Sequence, residues 1–151
     1  MRIGVHSWEP GLAGDFLTSA PGWLWMVYLF DRMRESDHEP VWFGTEHDAP
    51  MLSSSSNVGS VDLMFFGWRW PMDSHPRFAP RNRAYDKQME LISECGRKGI
   101  PFIVHDQDYK VTPADQLLIE HMGGTIMTPA IYPPAGMRTL LYPNPWPTHV
   151  S

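Results

Sequence analysis

The sequence predicts the α/β fold class, as a Rossmann-like three-layer domain with a mostly parallel sheet of five to six strands. Short apolar runs, of which 61–66 and 100–104 are the clearest, alternate with amphipathic stretches long enough to form helices. Parallel strands need crossovers of this length, and right-handed crossovers place helices on both faces of the sheet. The 151 residues fit a single domain, 1–151, with a proline-rich tail from about residue 129.

The first strand, helix and second strand lie in the first 43 residues. Residues 2–7 predict the first strand. Pro21 opens a helix, because proline is well tolerated at the first helical position, and apolar residues then recur at helical spacing until 38–40. Residues 41–43 predict the second strand.

The middle of the chain supplies a long loop, the third strand and the clearest helix. Residues 45–60, which contain a run of serines, predict a loop with a short helix near 49–52. Residues 61–67 are an apolar run and predict the third strand. Residues 81–98 predict a helix with one apolar face, and Gly99 is its stop signal.

The last third repeats the alternation. Residues 100–105 predict the fourth strand as a short, fully buried run. A threonine, a proline and an acid at the start of 112–122 have the spacing of a capped helix. Residues 125–128 predict the fifth strand, and Leu140 with Leu141 predicts a last short strand.

Composition excludes several classes of protein. A net charge of −5 argues against this chain alone forming a nucleic-acid surface, since phosphate contacts need concentrated Lys and Arg. No apolar run approaches the ~18 residues of a membrane span, and the N-terminus lacks the features of a signal peptide. We therefore expect a cytoplasmic protein with no membrane partner. Cys95 is the single cysteine, which excludes a disulfide framework and a cysteine-based zinc site within the chain.

One stretch is locally basic on this acidic background. Arg69, Arg77, Arg81 and Arg83 lie close together in sequence with His75. This pattern fits a solvated loop before a helix, and it also fits an anion site.

The carboxyl ends of the predicted strands are the expected functional edge, because ligands of open α/β sheets occupy the crevice beyond these ends. The first, third and fourth strands end at 6–9, 67–70 and 105–108. Asp106 stands where an acceptor hydroxyl would meet a general base, with His105 or Arg69 nearby. The alternative is that Asp106 or Asp108 caps the following turn, as aspartate often does.

Cofactor sites have little support in the sequence. His105, Asp106 and Asp108 would suit Mg²⁺ or Mn²⁺, but no second cluster with ligand spacing accompanies them, so we assign no metal site. Glycines in and after the first strand form neither G-x-G-x-x-G nor a P-loop, which argues against a dinucleotide cofactor. Asp15 in that loop either binds a hydroxyl or caps a turn.

The chain resembles the N-terminal half of GT-B type glycosyltransferases. Similar features are the strand at 1–5, the glycine-containing loop, and the His-Glu pair that introduces the second strand at 38–41. Within that family, it is similar to phage DNA β-glucosyltransferases in 28–30 of the first helix, in the 61–66 strand, and in the aromatic-flanked strand that ends in Asp106.

The resemblance implies a function that requires a second domain. In that family the N-terminal domain holds the acceptor, an aspartate after the corresponding strand is the general base, and the C-terminal domain binds the nucleotide sugar. Asp106 would be the catalytic residue, and the chain would be inactive without a C-terminal donor-binding domain or partner subunit. The acceptor class stays open, with DNA among the options, and a phage-encoded protein would act in the host cytoplasm. With Asp106 as the base, we expect the substrate-binding residues to be Asp15, Trp68, Arg69, Trp70, His105 and Asp108.

Two other functions fit the same sequence. Seven tryptophans and fifteen prolines are unusual, and a Trp/Pro-rich surface that includes 132–146 would suit a non-catalytic Rossmann-like interaction protein. A metal-assisted hydrolase centred on His105, Asp106 and Asp108 is the third option.

Overall fold

The computed structural model describes residues 1–7, 29–44, 53–70, 79–106, 109–129 and 139–142. The helices are α1 (29–35 of the described residues), α2 (Ala79–Lys98) and α3 (Pro113–His121), with a 3-10 turn at Val58–Ser60. The strands are β1 (Arg2–His6), β2 (Glu39–Trp42), β3 (Ser53–Ser54), β4 (Leu63–Gly67), β5 (Phe102–His105), β6 (Gly124–Pro129) and β7 (Thr139–Tyr142).

The strands form one open sheet in the order β3-β2-β1-β4-β5-β6-β7. Every hydrogen-bonded pair of neighbours is parallel. The predicted Rossmann-like α/β fold is therefore confirmed. The sheet has one strand more than the five to six expected, because the two-residue β3 pairs with the edge of β2.

The predicted loop over 45–60 is wrong for its second half. Ser53 and Ser54 form β3, and the backbone N–H of Ser55 donates to the carbonyl of Trp42 at 2.8 Å. Asn57 then caps the 3-10 turn, since its side chain accepts from the N–H of Gly59 at 3.0 Å. Short polar side chains that bond to nearby backbone allow this ordered path without an apolar pattern.

Helices cover both faces of the sheet, as three layers require. On one face, Phe30 and Met33 of α1 pack against the apolar side chains of Ile3, Val5 and Phe65. The opposite face is covered by α2 and α3, whose buried members are Leu91, Ile92, Cys95 and Ile119, packed on Met64, Phe66, Phe102, Val104 and Ile126. Phe30 and Met33 of the first predicted helix, and Ile92 and Cys95 of the helix predicted at 81–98, are buried on the apolar faces that their helical spacing predicts.

The helix ends follow from local sequence. Thr112 and Asp115 form the predicted capping box of α3, with Pro113 in its first turn. Gly99 follows α2 at a φ of 70°, and the N–H of Ile100 donates to Cys95 O at 3.0 Å, so the predicted stop is confirmed. None of the described helices is both long and apolar enough to cross a lipid bilayer.

Candidate functional site

The site lies where β1 meets β4. The chain leaves β1 toward β2 on one side, whereas β4 and β5 lie on the other, so the strand order reverses its direction at β1. In open α/β sheets, ligands bind beyond the carboxyl ends of the strands at such a reversal, and we refer to this region, at the ends of β1 and β4, as the crevice. The ends of β1, β4 and β5 lie on one edge of the sheet, as predicted, because the three strands are adjacent and parallel.

Ser7 and Arg69 bridge this crevice. The guanidinium of Arg69 donates to Ser7 Oγ through Nη2 at 2.7 Å and through Nε at 3.3 Å. Ser7 is buried while Arg69 is partly exposed. Because a guanidinium only donates, Ser7 Oγ is the acceptor of both bonds and its own proton is directed elsewhere. The crevice therefore combines a cation with a hydroxyl donor, which suits the oxygen atoms of a polar ligand.

Gly67, at the end of β4, leaves room for the side chain of Ser7 beside Arg69. A Cβ atom built on Gly67 would lie 2.8 Å from Ser7 Oγ and 3.1 Å from Ser7 Cβ. These distances are below van der Waals contact, so a larger residue would push Ser7 away from its position beside Arg69. Glycine is therefore needed at position 67 for a steric reason, because the side chain of Ser7 packs closely against the Gly67 backbone.

Gln88 of α2 connects the ends of β1 and β4 through hydrogen bonds of its side-chain amide. Its side chain is fully buried. Oε1 accepts from the backbone N–H of Arg69 at 3.1 Å, and Nε2 donates to the carbonyl of Gly67 at 2.8 Å. Nε2 also lies 3.0 Å from His6 Nδ1. One buried amide thus holds the end of β1, the end of β4 and the residue that supplies the guanidinium.

The two histidines at this edge are kept neutral. Burial lowers the pKa of His6 to about 3, and the positive charges of Arg69 and Lys87 add to the shift. Burial likewise lowers the pKa of His105 to about 4, again with a contribution from Arg69. Both imidazoles are uncharged at neutral pH, so the positive charge in this part of the crevice belongs to Arg69 rather than to histidine.

Asp106 occupies the end of β5 as a buried carboxylate. Its side chain is 3% exposed. Oδ1 accepts from the N–H of Lys110 at 2.8 Å and Oδ2 from that of Val111 at 2.9 Å. This is the turn-capping arrangement that the sequence offered as the alternative to a base. A carboxylate oxygen can accept more than one hydrogen bond, so capping the turn is compatible with the predicted base role.

The two tryptophans after β4 differ in their surroundings. Trp68 is buried, and its ring meets Tyr85 edge-on at 5.8 Å between centroids. Trp70 is partly exposed, and Lys110 Nζ lies 6.0 Å from the centroid of its ring. Trp70 is therefore the better placed of the two to contact a ligand at the surface of the crevice.

Several predicted site residues lie outside the described residues. These are Asp15 and Asp108, together with His75 and Arg77 of the basic stretch. Arg83 is exposed on α2. Among the described residues, no three His, Cys, Asp or Glu side chains are grouped so that they could hold a metal ion. The trio of His105, Asp106 and Asp108 includes a residue outside that range, so this finding does not extend to it.

Sequence reasoning missed two residues that organise the crevice. In the sequence Ser7 is marked only as part of a strand end. Gln88 stands on a helix face that the sequence marks by its apolar members alone. A signal for Gln88 did exist, since it lies three residues after Tyr85 and four before Ile92, on the buried stripe of α2. A polar side chain on such a stripe must find buried partners.

Comparison of the chain with known proteins identifies no related protein. No protein-family model, curated protein or solved structure matches the chain. The fold and the geometry of the crevice are therefore the observations from which a function must be argued.

Proposed function

We propose that the chain is the acceptor-binding N-terminal domain of a nucleotide-sugar-dependent glycosyltransferase of the GT-B type, inactive without a donor-binding domain. The observation that carries the proposal is the crevice between β1 and β4, where Arg69 and Ser7 meet at 2.7 Å. It lies at the reversal of strand order in a parallel sheet. Such crevices bind ligands in open α/β domains, and the sequence resemblance supplies the class of ligand.

The residues of the crevice have separate roles in this proposal. Arg69 and Ser7 bind oxygen atoms of the acceptor, and Trp70 packs against its ring. A sugar or base stacked on tryptophan would contribute roughly 1–3 kcal/mol. His105 lies beside them and contributes as a neutral imidazole. Nothing in these roles requires the acceptor to be a nucleic acid.

In the proposed chemical step, Asp106 is the general base. The acceptor hydroxyl transfers its proton to the carboxylate while its oxygen bonds to the anomeric carbon of the donor sugar. The bond from that carbon to the nucleoside diphosphate breaks, and the diphosphate leaves with the electron pair. A closed cleft between two domains would orient the reactants and exclude water.

Acceptor binding is tested on this chain by ligand-observed saturation-transfer NMR. The probes are glucose, a short DNA duplex that carries hydroxymethyl groups, and UDP-glucose. We expect glucose or the duplex to bind, and Arg69→Gln to weaken that binding about tenfold or more, since a bond to a charged group contributes about 1.5–3 kcal/mol.

Arg83→Gln is the matched control, because Arg83 is an exposed arginine on α2 and should leave binding unchanged. Binding that is indifferent to Arg69→Gln would contradict the proposed crevice. If the chain binds UDP-glucose but neither acceptor probe, the acceptor-side assignment is wrong.

The base assignment is tested separately, in an enzyme reconstituted from this chain and a donor-binding domain. Asp106→Asn should lower turnover by about 10²- to 10⁴-fold, the usual contribution of a general base. The substitution also replaces a carboxylate oxygen that accepts a backbone N–H, so thermal unfolding of the variant must be measured alongside. Near-normal turnover would remove Asp106 from catalysis and leave it as the cap of the following turn.

A further inference from the structure

The orientation of the Gln88 amide follows from its backbone partners. The N–H of Arg69 can only donate, so the Gln88 atom 3.1 Å from it must be the oxygen. The carbonyl of Gly67 can only accept, so the Gln88 atom 2.8 Å from it must be the NH₂ group. The two constraints agree, and exchanging the oxygen and nitrogen would break both bonds. The assignment therefore does not depend on the histidine.

This orientation fixes the proton on His6. The NH₂ group of Gln88 lies 3.0 Å from His6 Nδ1 and has only protons to offer. Nδ1 must then be the unprotonated nitrogen of the ring, and Nε2 must carry the hydrogen. Protonating Nδ1 would set two N–H donors against each other in a buried position, where an unmade hydrogen bond is costly.

The charges around His6 act in the same direction. Among the described residues, the charged groups that bear on its ring are Arg69, after β4, and Lys87, on α2. Both are positive, so neither favours an imidazolium. Phe66 packs beside the ring, with centroids 6.2 Å apart, and offers no acceptor. The neutral ring is thus favoured by its hydrogen-bond partner, by its apolar neighbour and by the nearby charges.

We infer that Gln88 is a positioning residue that locks His6 as the neutral tautomer protonated on Nε2 and fixes Arg69 at the mouth of the crevice. His6 is then a hydrogen-bond donor and not a base. In the proposed transferase His6 would therefore not take the acceptor's proton, a consequence that rests on the proposed function. The tautomer itself does not rest on it.

The tautomer is tested by long-range ¹H–¹⁵N correlation NMR on the ligand-free protein at neutral pH. We expect the His6 ring to show an unprotonated Nδ1 and a protonated Nε2. A ring protonated on Nδ1, a mixture of tautomers, or an imidazolium would each overturn the inference. This measurement uses the unaltered chain and does not depend on a variant that folds.

Two substitutions then test whether Gln88 is the cause. Gln88→Glu keeps the shape but places a carboxylate beside Nδ1, so His6 should become protonated on Nδ1 or convert to the imidazolium. Gln88→Met removes all three hydrogen bonds, so the tautomer should become mixed. A His6 spectrum that is unchanged in either folded variant would show that Gln88 does not set the tautomer.

Gln116→Met is the matched control, because Gln116 is a partly exposed glutamine on α3 whose side chain donates to Glu120. It should leave the His6 spectrum unchanged. A purely structural role for Gln88 would lower the melting temperature of its variants without moving the tautomer.

Acceptor binding separates this inference from the proposed function. With glucose and the hydroxymethylated duplex as probes, Gln88→Met should weaken the binding by about tenfold, because Arg69 loses its backbone anchor. The expected tautomer without binding of either probe would defeat the proposed function and leave the assignment of His6 intact. Normal binding by a folded Gln88→Met would remove the positioning of Arg69 from the inference.

Discussion

At the scale of single residues, the crevice depends on the small size of Gly67 as much as on the hydrogen bonds of Ser7, Arg69 and Gln88. Gly67 lacks the Cβ atom that would collide with Ser7, and the Ser7 hydroxyl accepts a hydrogen bond from the Arg69 guanidinium. Gln88 adds a fixed amide below them. Each contact joins residues that are distant in sequence, so each reports on whether the strand ends are correctly placed.

Gly67→Ala should destabilise the protein by about 1–3 kcal/mol, the usual effect of forcing an extra carbon into a packed site. Urea unfolding measures the loss. The double variant with Ser7→Gly removes both atoms that the new Cβ would meet, at 2.8 and 3.1 Å. Gly67→Ala should therefore cost less in that background, and an equal cost in both would show that Ser7 is not the obstacle.

The buried histidines predict how stability depends on pH. The pKa of His6 in the folded protein is about 3 and that of His105 about 4, both below the value of 6.5 for the unfolded chain. Below pH 6.5 the unfolded state binds protons that the folded state rejects, so the free energy of unfolding falls as the pH falls. Each histidine should contribute about 1.4 kcal/mol per pH unit to this slope.

Urea unfolding between pH 5.5 and 4.5 (roughly the middle of the window) measures that slope. His105→Gln should reduce it by one histidine's share. Gln116→Met, at a partly exposed and non-titrating position on α3, is the control and should leave it unchanged. An unaltered slope in His105→Gln would mean that His105 already takes up its proton in the folded protein.

At the scale of elements, helix ends were predictable where a single local rule decides them. The threonine, proline and acid at the start of α3 and the glycine after α2 predicted those boundaries, and the structure confirms both. β3 was not predictable, because two exposed serines carry no apolar pattern and pair only because β2 offers its edge. Elements set by tertiary contact leave no periodicity to find.

The end of α1 provides a test at this scale. Asp37 follows it in the left-handed region, at a φ of 59°, and the N–H of His38 donates to Met33 O at 2.8 Å. Glycine adopts this conformation without strain, and an acid at a helix C-terminus opposes the dipole. Asp37→Gly should therefore raise the free energy of unfolding by about 0.5–1 kcal/mol.

Gly99→Ala is the reverse experiment at the end of α2. A Cβ atom on Gly99 would meet nothing within 4 Å, so any loss of stability comes from its φ of 70°. We expect a loss of about 1 kcal/mol. If the two substitutions changed stability in the same direction, left-handed strain would not be what controls these helix ends.

At the scale of the whole molecule, the sequence predicted the layers and which strand ends share an edge, but not the contacts across that edge. Alternation of apolar runs and helices was enough for the parallel sheet, and the strand ends pointed to Arg69 and Asp106. The order of the strands was not predictable, so neither was the meeting of Ser7 with Arg69, 62 residues apart in sequence. The partners of Gln88 were not predictable for the same reason, since they lie at or just beyond the ends of two different strands.

Cys95 reports on the opening of the whole core. It is fully buried with Ile92 and Phe66, and burial raises the pKa of its thiol to about 12. Labelling with iodoacetamide at pH 8 should therefore require unfolding, and its rate should follow the unfolded fraction as urea is added.

Gly67→Ala should accelerate this labelling by the same factor as it changes the unfolding equilibrium. Cys95→Ala supplies the blank, since it removes the single cysteine of the chain. Rapid labelling that ignores both urea and Gly67→Ala would mean that α2 opens locally while the sheet stays intact.

The interior position of β1, between β2 and β4, has a consequence for the newborn chain on the ribosome. Of the strands in this sheet β1 is made first, yet its neighbour β4 is complete only at Gly67. At translation speeds of about 5–20 residues per second, synthesis of the segment from β1 to the end of β4 takes roughly 3 to 12 s. During this interval β1 is open to chaperones and to aggregation, so the pace of translation over these codons should influence how much protein reaches the native state.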